Sequence, residues 1–127
     1  MAGVVVDTSV WIDFFAGSDT ESVSEALEQG WVVLPPIVVS ELISGAATQA
    51  QRQAIGNLLQ DAPLHQTPLE HWIRVGDLRR KLAQKGLSVT TPDAHVAQCA
   101  LDLDATLLSS DAVFTSIAKH VRLRLRQ

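Results

Sequence analysis

The alternation of apolar and polar positions divides this chain into short strands and amphipathic helices. Val4-Val5-Val6 is an uninterrupted β-branched run, the pattern of a strand covered on both faces. It stops at Asp7. Val10, Trp11, Phe14 and Phe15 then recur at helical spacing, with Thr8 and Ser9 placed to cap that helix. Gly17-Ser18-Asp19 breaks the pattern. Thr20 to Gln29 reads as a short helix stopped by Gly30, and Trp31 to Leu34 as a second strand ended by Pro35-Pro36. Ile37 to Ala46 is an almost wholly apolar helix whose one ionisable residue is Glu41. Thr48 to Asp61 is a further helix, apolar at Ile55, Leu58 and Leu59. Leu64 to Thr67 fits a brief strand. Pro68 to Lys85 is the longest helix, with Gly86 beyond its end.

The second half repeats the logic of the first. Thr91 is placed as an N-cap and Pro92 as the first helical residue, which puts Asp93 in the first turn. Many small residues follow, Ala94, Ala97 and Ala100 among them, and permit close packing. Thr106 to Leu108 is a strand that leads through Ser109 and Ser110 to Asp111 and a last helix. Val121, Leu123 and Leu125 alternate with Arg122, Arg124 and Arg126, the period of a strand with one face outward. Its arginines are placed to protect an edge from pairing. Short strands alternating with helices define an α/β fold with a mostly parallel sheet of four or five strands.

The length of 127 residues accommodates one domain, 1–127, with a proper core. A hydrophobic content of 46% excludes a disordered chain. No apolar run approaches the roughly 20 residues of a membrane span, and no basic segment leads into a leader-like apolar stretch. The single cysteine, Cys99, excludes an internal disulfide framework and a multi-cysteine zinc site. These features lead to the expectation of a cytoplasmic protein without membrane association. Ten basic and 14 acidic residues give a net charge of −4, which argues against non-specific nucleic-acid binding. A nuclease whose carboxylates hold cations is not excluded, because the ions reverse the local sign.

Four acids occupy comparable places. Asp7 and Asp111 follow strands, Asp93 opens a helix, and Glu41 lies in the helix after the second strand. Three of them have a simpler role: helix capping for Asp7, a helix-dipole contact for Asp93, a reach into water for Glu41. A parallel sheet, however, gathers its strand ends on one edge. Carboxylates gathered there repel one another unless cations neutralise them. Mg²⁺ and Mn²⁺, which prefer carboxylate and water oxygens, suit such a site, and one or two of them could serve phosphodiester hydrolysis. Ser109 is placed either to orient a carboxylate or to cap the last helix. His65, His71, His95 and His120 show no ligand spacing, and His95 is expected at the surface or partly packed. Cys99 reads as a small core residue.

The fragments Val5-Val6-Asp7-Thr8-Ser9-Val10-Trp11-Ile12-Asp13, Val39-Ser40-Glu41-Leu42, Pro92-Asp93-Ala94-His95-Val96-Ala97 and Leu107-Leu108-Ser109-Ser110-Asp111-Ala112-Val113-Phe114 stand in this order across essentially the whole chain. In these, the sequence resembles the PIN-domain family, specifically the VapC-type toxins of toxin–antitoxin systems. The resemblance implies an α/β/α sandwich and a Mg²⁺- or Mn²⁺-dependent endoribonuclease acting on RNA. It implies an acidic pocket of Asp7, Glu41, Asp93 and Asp111, with Asp7 and Asp93 foremost as metal ligands and Ser109 in support. It further implies a homodimer and inhibition by a cognate VapB-type antitoxin. The family often carries polar or charged residues where this chain has Ser110 and Ala112.

Two other classes are weighed beside this one. A non-catalytic interaction module would keep the fold, and the intact set of four acids counts against it. A phosphatase with Asp7 as nucleophile would need a second aspartate two residues on, where this chain has Ser9.

Overall fold

Val4, Val5 and Val6 form β1 (Val4–Val6), buried on both faces as the unbroken β-branched run requires. A computed structural model describes residues 3–18 and 21–127. After β1 come α1 (Thr8–Phe15), α2 (Glu21–Glu28), α3 (Pro36–Gly45), α4 (Gln49–Asp61), α5 (Leu69–Gln84), α6 (Thr91–Leu103), β2 (Thr106–Leu108), α7 (Ala112–Ala118) and β3 (Arg124–Arg126). The break expected at Asp19 and the helix start expected at Thr20 lie outside the described residues.

The sheet is parallel, in the order β1-β2-β3. Val5 stands opposite Leu107, and Leu107 opposite Leu125. The four or five strands expected from the sequence are thus three among the described residues. The segments around Trp31–Leu34 and Leu64–Thr67 extend the sheet only by single parallel bridges, Val4 with Val32 and Leu34 with Leu64. Proline explains the shortfall. Pro35 and Pro36 follow Leu34 directly, and Pro63 and Pro68 bracket the other segment. Proline has no amide to donate and a fixed φ, so a ladder cannot continue through it. The last strand also begins later than Val121. The Val121 amide still donates to Ile117 O at 3.2 Å, and the Leu123 amide to Val121 O at 2.8 Å, so the chain leaves α7 in a turn before it extends.

Trp11, Leu34, Leu82, Leu107, Phe114 and Ile117 fill the core, all fully buried. Every residue of α6 from Ala94 to Ala100 is buried. Its alanines let the helix sit close to α3, α5 and β1 together. The N-cap of α6 is Thr90, one residue before the expected Thr91. Its hydroxyl accepts from the Asp93 amide, and Pro92 falls in the first turn, where a missing amide is harmless. At α1 the cap position belongs to Asp7, and neither Thr8 nor Ser9 caps the helix. Their hydroxyls are engaged elsewhere, at the site below. Among the described residues, no helix is long and apolar enough to cross a membrane.

Candidate active site

The parallel register brings the ends of β1 and β2 side by side. Val6 faces Leu108, and the Asp7 amide donates to Leu108 O at 3.0 Å. Asp7 and Ser109 are therefore neighbours, although 102 residues separate them. Asp7 is buried, at 7% exposure. A buried carboxylate needs hydrogen-bond donors. Two hydroxyls provide them: Ser9 Oγ and Ser109 Oγ each donate to Asp7 Oδ2 at 3.0 Å. Ser109 Oγ in turn accepts from the Asp111 amide at 3.1 Å. One hydroxyl thus ties the end of β1 to the turn after β2. The two roles left open for Ser109 resolve accordingly: it orients a carboxylate, and Asp111 caps α7 by accepting from the Val113 amide at 3.0 Å.

Glu41 reaches the same neighbourhood from α3. It is exposed, and its Oε1 accepts from Thr8 Oγ1 at 2.8 Å, beside Asp7. Asp93 enters from the first turn of α6. Its carboxyl titrates above the usual range. Burial is the main cause; the hydrogen bond with Thr90 opposes it, and the charges of Asp111, Asp7 and Glu41 push it further up. The four acids thus share one electrostatic field, although four different elements or element ends carry them. A groove of about 230 Å³ adjoins Glu41, which lines it together with Ile12, Phe15, Leu42 and Ile55.

The donor set suits a hard divalent cation. All four groups offer carboxylate oxygens, and Asp93 shows the repulsion that a cation would relieve. Among the described residues, no three of these acids bring ligand atoms within 4.8 Å of one another. Mg²⁺ does not require that. It commonly keeps several waters and takes only one or two carboxylates directly.

A second buried polar cluster has no counterpart in the sequence reading. His71 and His95 are fully buried, with ring centroids 4.8 Å apart, contrary to the surface or partly packed histidine expected at position 95. His71 Nε2 lies 2.8 Å from His95 Nδ1, and His71 Nδ1 lies 2.9 Å from Asp102 Oδ2. Asp102 also accepts from Arg74 Nε and Nη2, both at 2.9 Å, and from Gln98 Nε2 at 2.8 Å. Burial alone would raise the Asp102 carboxyl; the donors Arg74, His71 and Gln98 outweigh it and hold the group down to about 2. A signal for this cluster did exist. His95, Cys99 and Asp102 fall on one face of a helix, as do His71 and Arg74 on another.

Asp102 stabilises the fold through this network. Asp102→Asn is expected to lower stability by about 1–3 kcal/mol, the scale of hydrogen bonds to a charged group, as read by urea unfolding. A carboxyl depressed on folding contributes fully above its unfolded pKa, near 4. The contribution drains away as pH falls toward about 2. The wild-type and variant curves should therefore converge in acid.

The sequence matches the PIN domain family over residues 4–120, and the chain belongs to that family. Comparison with curated proteins gives no match. Among solved structures, the chain resembles DNA-bound VapBC from Salmonella typhimurium at 21% identity and a TM-score of 0.81, covering 99% of this chain and 98% of that one. VapBC2 from Rickettsia felis, bound to a promoter DNA fragment, shows 22% identity and a TM-score of 0.78 over 97% and 96% of the two chains. VapBC-5 from Mycobacterium tuberculosis shows 23% identity and a TM-score of 0.69 over 100% and 99%.

Proposed function

We propose that this chain is a VapC-type toxin, a Mg²⁺- or Mn²⁺-dependent endoribonuclease of the cytoplasm that hydrolyses RNA phosphodiester bonds. The observation that carries this reading is the linked set Asp7–Ser109–Asp111, with Asp93 in the field of all the other acids, inside a PIN domain. Asp7 and Asp93 would hold the cation, with Glu41 and Asp111 completing the negative pocket. Once bound, a divalent ion supplies an acidified water and charge stabilisation for the leaving oxygen.

The protein's own contribution is orientation. Ser9 and Ser109 fix Asp7 by one oxygen, Oδ2, and leave Oδ1 for another partner. Thr8 holds Glu41 from across the α1–α3 contact. Solved neighbours are described as VapBC and toxin–antitoxin complexes, which supports a VapB-type antitoxin as partner. The apolar groove beside Glu41 offers such a partner a seat next to the acids. A homodimer belongs to the same reading.

Two measurements test it. Purified protein should cleave RNA with Mg²⁺ or Mn²⁺ and stop when a chelator removes the ion. Absence of both cleavage and Mn²⁺ binding by calorimetry would instead favour a non-catalytic interaction module. Ser109→Ala should weaken Mn²⁺ binding by roughly 10–100-fold, the usual effect of losing a group that orients a ligand. Circular dichroism should show the variant folded.

A further inference from the structure

Where α5 packs on α6, three residues of soft-metal chemistry converge. One ligand atom from each of His65, His71 and Cys99 lies within 4.8 Å of the other two. Cys99 and His71 are fully buried and His65 is half-buried. His95 adds a fourth donor: its Nδ1 lies 2.8 Å from His71 Nε2 and 4.0 Å from Cys99 Sγ. Cys99 Sγ is also 4.0 Å from His71 Nε2. Around a tetrahedral zinc ion with ordinary bond lengths, nitrogen–nitrogen edges are about 3.3 Å and nitrogen–sulfur edges about 3.6 Å. The edges among His71, His95 and Cys99 differ from these by about half an ångström, and the cluster with His65 spans 4.8 Å, so His65 must move inward on binding.

The surroundings have the form that supports a metal. Asp102 accepts from His71 Nδ1–H and so turns Nε2, with its lone pair, toward the cluster. A carboxylate behind a ligating histidine fixes ring and tautomer together. Arg74 and Gln98 hold that carboxylate in place, and Trp72 stacks flat on His95, with ring centroids 4.5 Å apart.

We propose that His65, His71, His95 and Cys99 form a structural site for one zinc-like divalent ion that ties α5 and the segment before it to α6. Without metal, the cluster is a proton chain. The Cys99 thiol faces His95 Nε2 at 3.7 Å, His95 Nδ1–H donates to His71 Nε2, and His71 Nδ1–H donates to Asp102. Burial pushes the Cys99 thiol up to about 12, so the sulfur is protonated near neutral pH. Binding breaks the S–H bond and forms a metal–sulfur bond. The His95 proton moves to Nε2, the side the thiol proton vacates, and frees Nδ1. One proton leaves to solvent per ion, and nothing is oxidised or reduced.

Cobalt(II) is the probe, added to full-length metal-free protein with excess Mg²⁺ present to satisfy the carboxylates. The expected result is a cobalt–thiolate charge-transfer absorption that saturates at one ion per chain and is displaced by Zn²⁺. It should vanish in Cys99→Ala and persist in Asp7→Asn, which separates this site from the acidic pocket. His65→Gln alters a half-buried residue and should weaken binding at least tenfold without unfolding the chain. Absence of the thiolate absorption in the wild-type protein, a result that needs no variant to fold, overturns the proposal. So does a band that survives in a folded Cys99→Ala protein.

Discussion

Asp7→Asn is expected to cut RNA cleavage on the order of 10²–10³-fold, the scale on which losing one fixed electrostatic partner acts, while the protein stays folded. The amide oxygen of Asn can still accept from Ser9 and Ser109, so the local hydrogen bonds survive. What is lost is the negative charge that would bind a cation. The loss should appear in kcat/KM at saturating Mg²⁺, with Tm little changed. Sequencing RNA ends after controlled expression gives the cellular counterpart, with the variant as background. Full activity in Asp7→Asn would remove this residue from the machinery and reject its assignment as a cation-holding carboxylate.

The largest stability effect is expected at Trp11. This side chain is fully buried on α1 and meets Phe14 edge-on at 5.8 Å and Phe15 stacked at 6.0 Å. Trp11→Ala should cost about 3–5 kcal/mol, a large part of the roughly 5–15 kcal/mol that holds a domain together. Guanidinium unfolding reads it directly. The indole Nε1–H has no hydrogen-bond partner among the described residues, so part of the gain from burying this ring is offset. Trp11→Phe keeps a ring and removes that N–H, and it should cost clearly less than Trp11→Ala. Because α1 carries Thr8 and Ser9, a loosened Trp11 seat should also disturb the hydroxyls on Glu41 and Asp7. Activity is then expected to fall before the chain unfolds.

Helices and the principal strands were legible because their signals are local. Apolar spacing, and Gly30 and Gly86 as stops, each act within a few residues. The two weak strands fall short for a reason that is local too: prolines stand beside them, and the missing amides outweigh the apolar pattern. Placement of Asp7, Asp93 and Asp111 near strand and helix ends follows from the topology of a parallel sheet. What joins them does not. Ser109 could be assigned to Asp7 only once the register of β1 against β2 was known. The histidine cluster was hidden for a similar reason, since its bonds span 24 and 31 residues across a helix–helix contact. Sequence periodicity shows which face of a helix is special, but not which other face it meets.

The uneven pairing of the sheet has a consequence for how the molecule breathes. One side of β1 is locked to β2 along its whole length, whereas beyond Leu34 the segment at 63–65 hangs on two backbone bonds, Leu34 N to Pro63 O and His65 N to Leu34 O. Amide hydrogens there should exchange with solvent sooner than those of Val5 or Leu107. Because His65 rides on that loosely tethered margin, a brief local detachment is expected to admit small solutes to the enclosed imidazoles, while β1 and β2, which lead into Asp7 and Ser109, keep their shape.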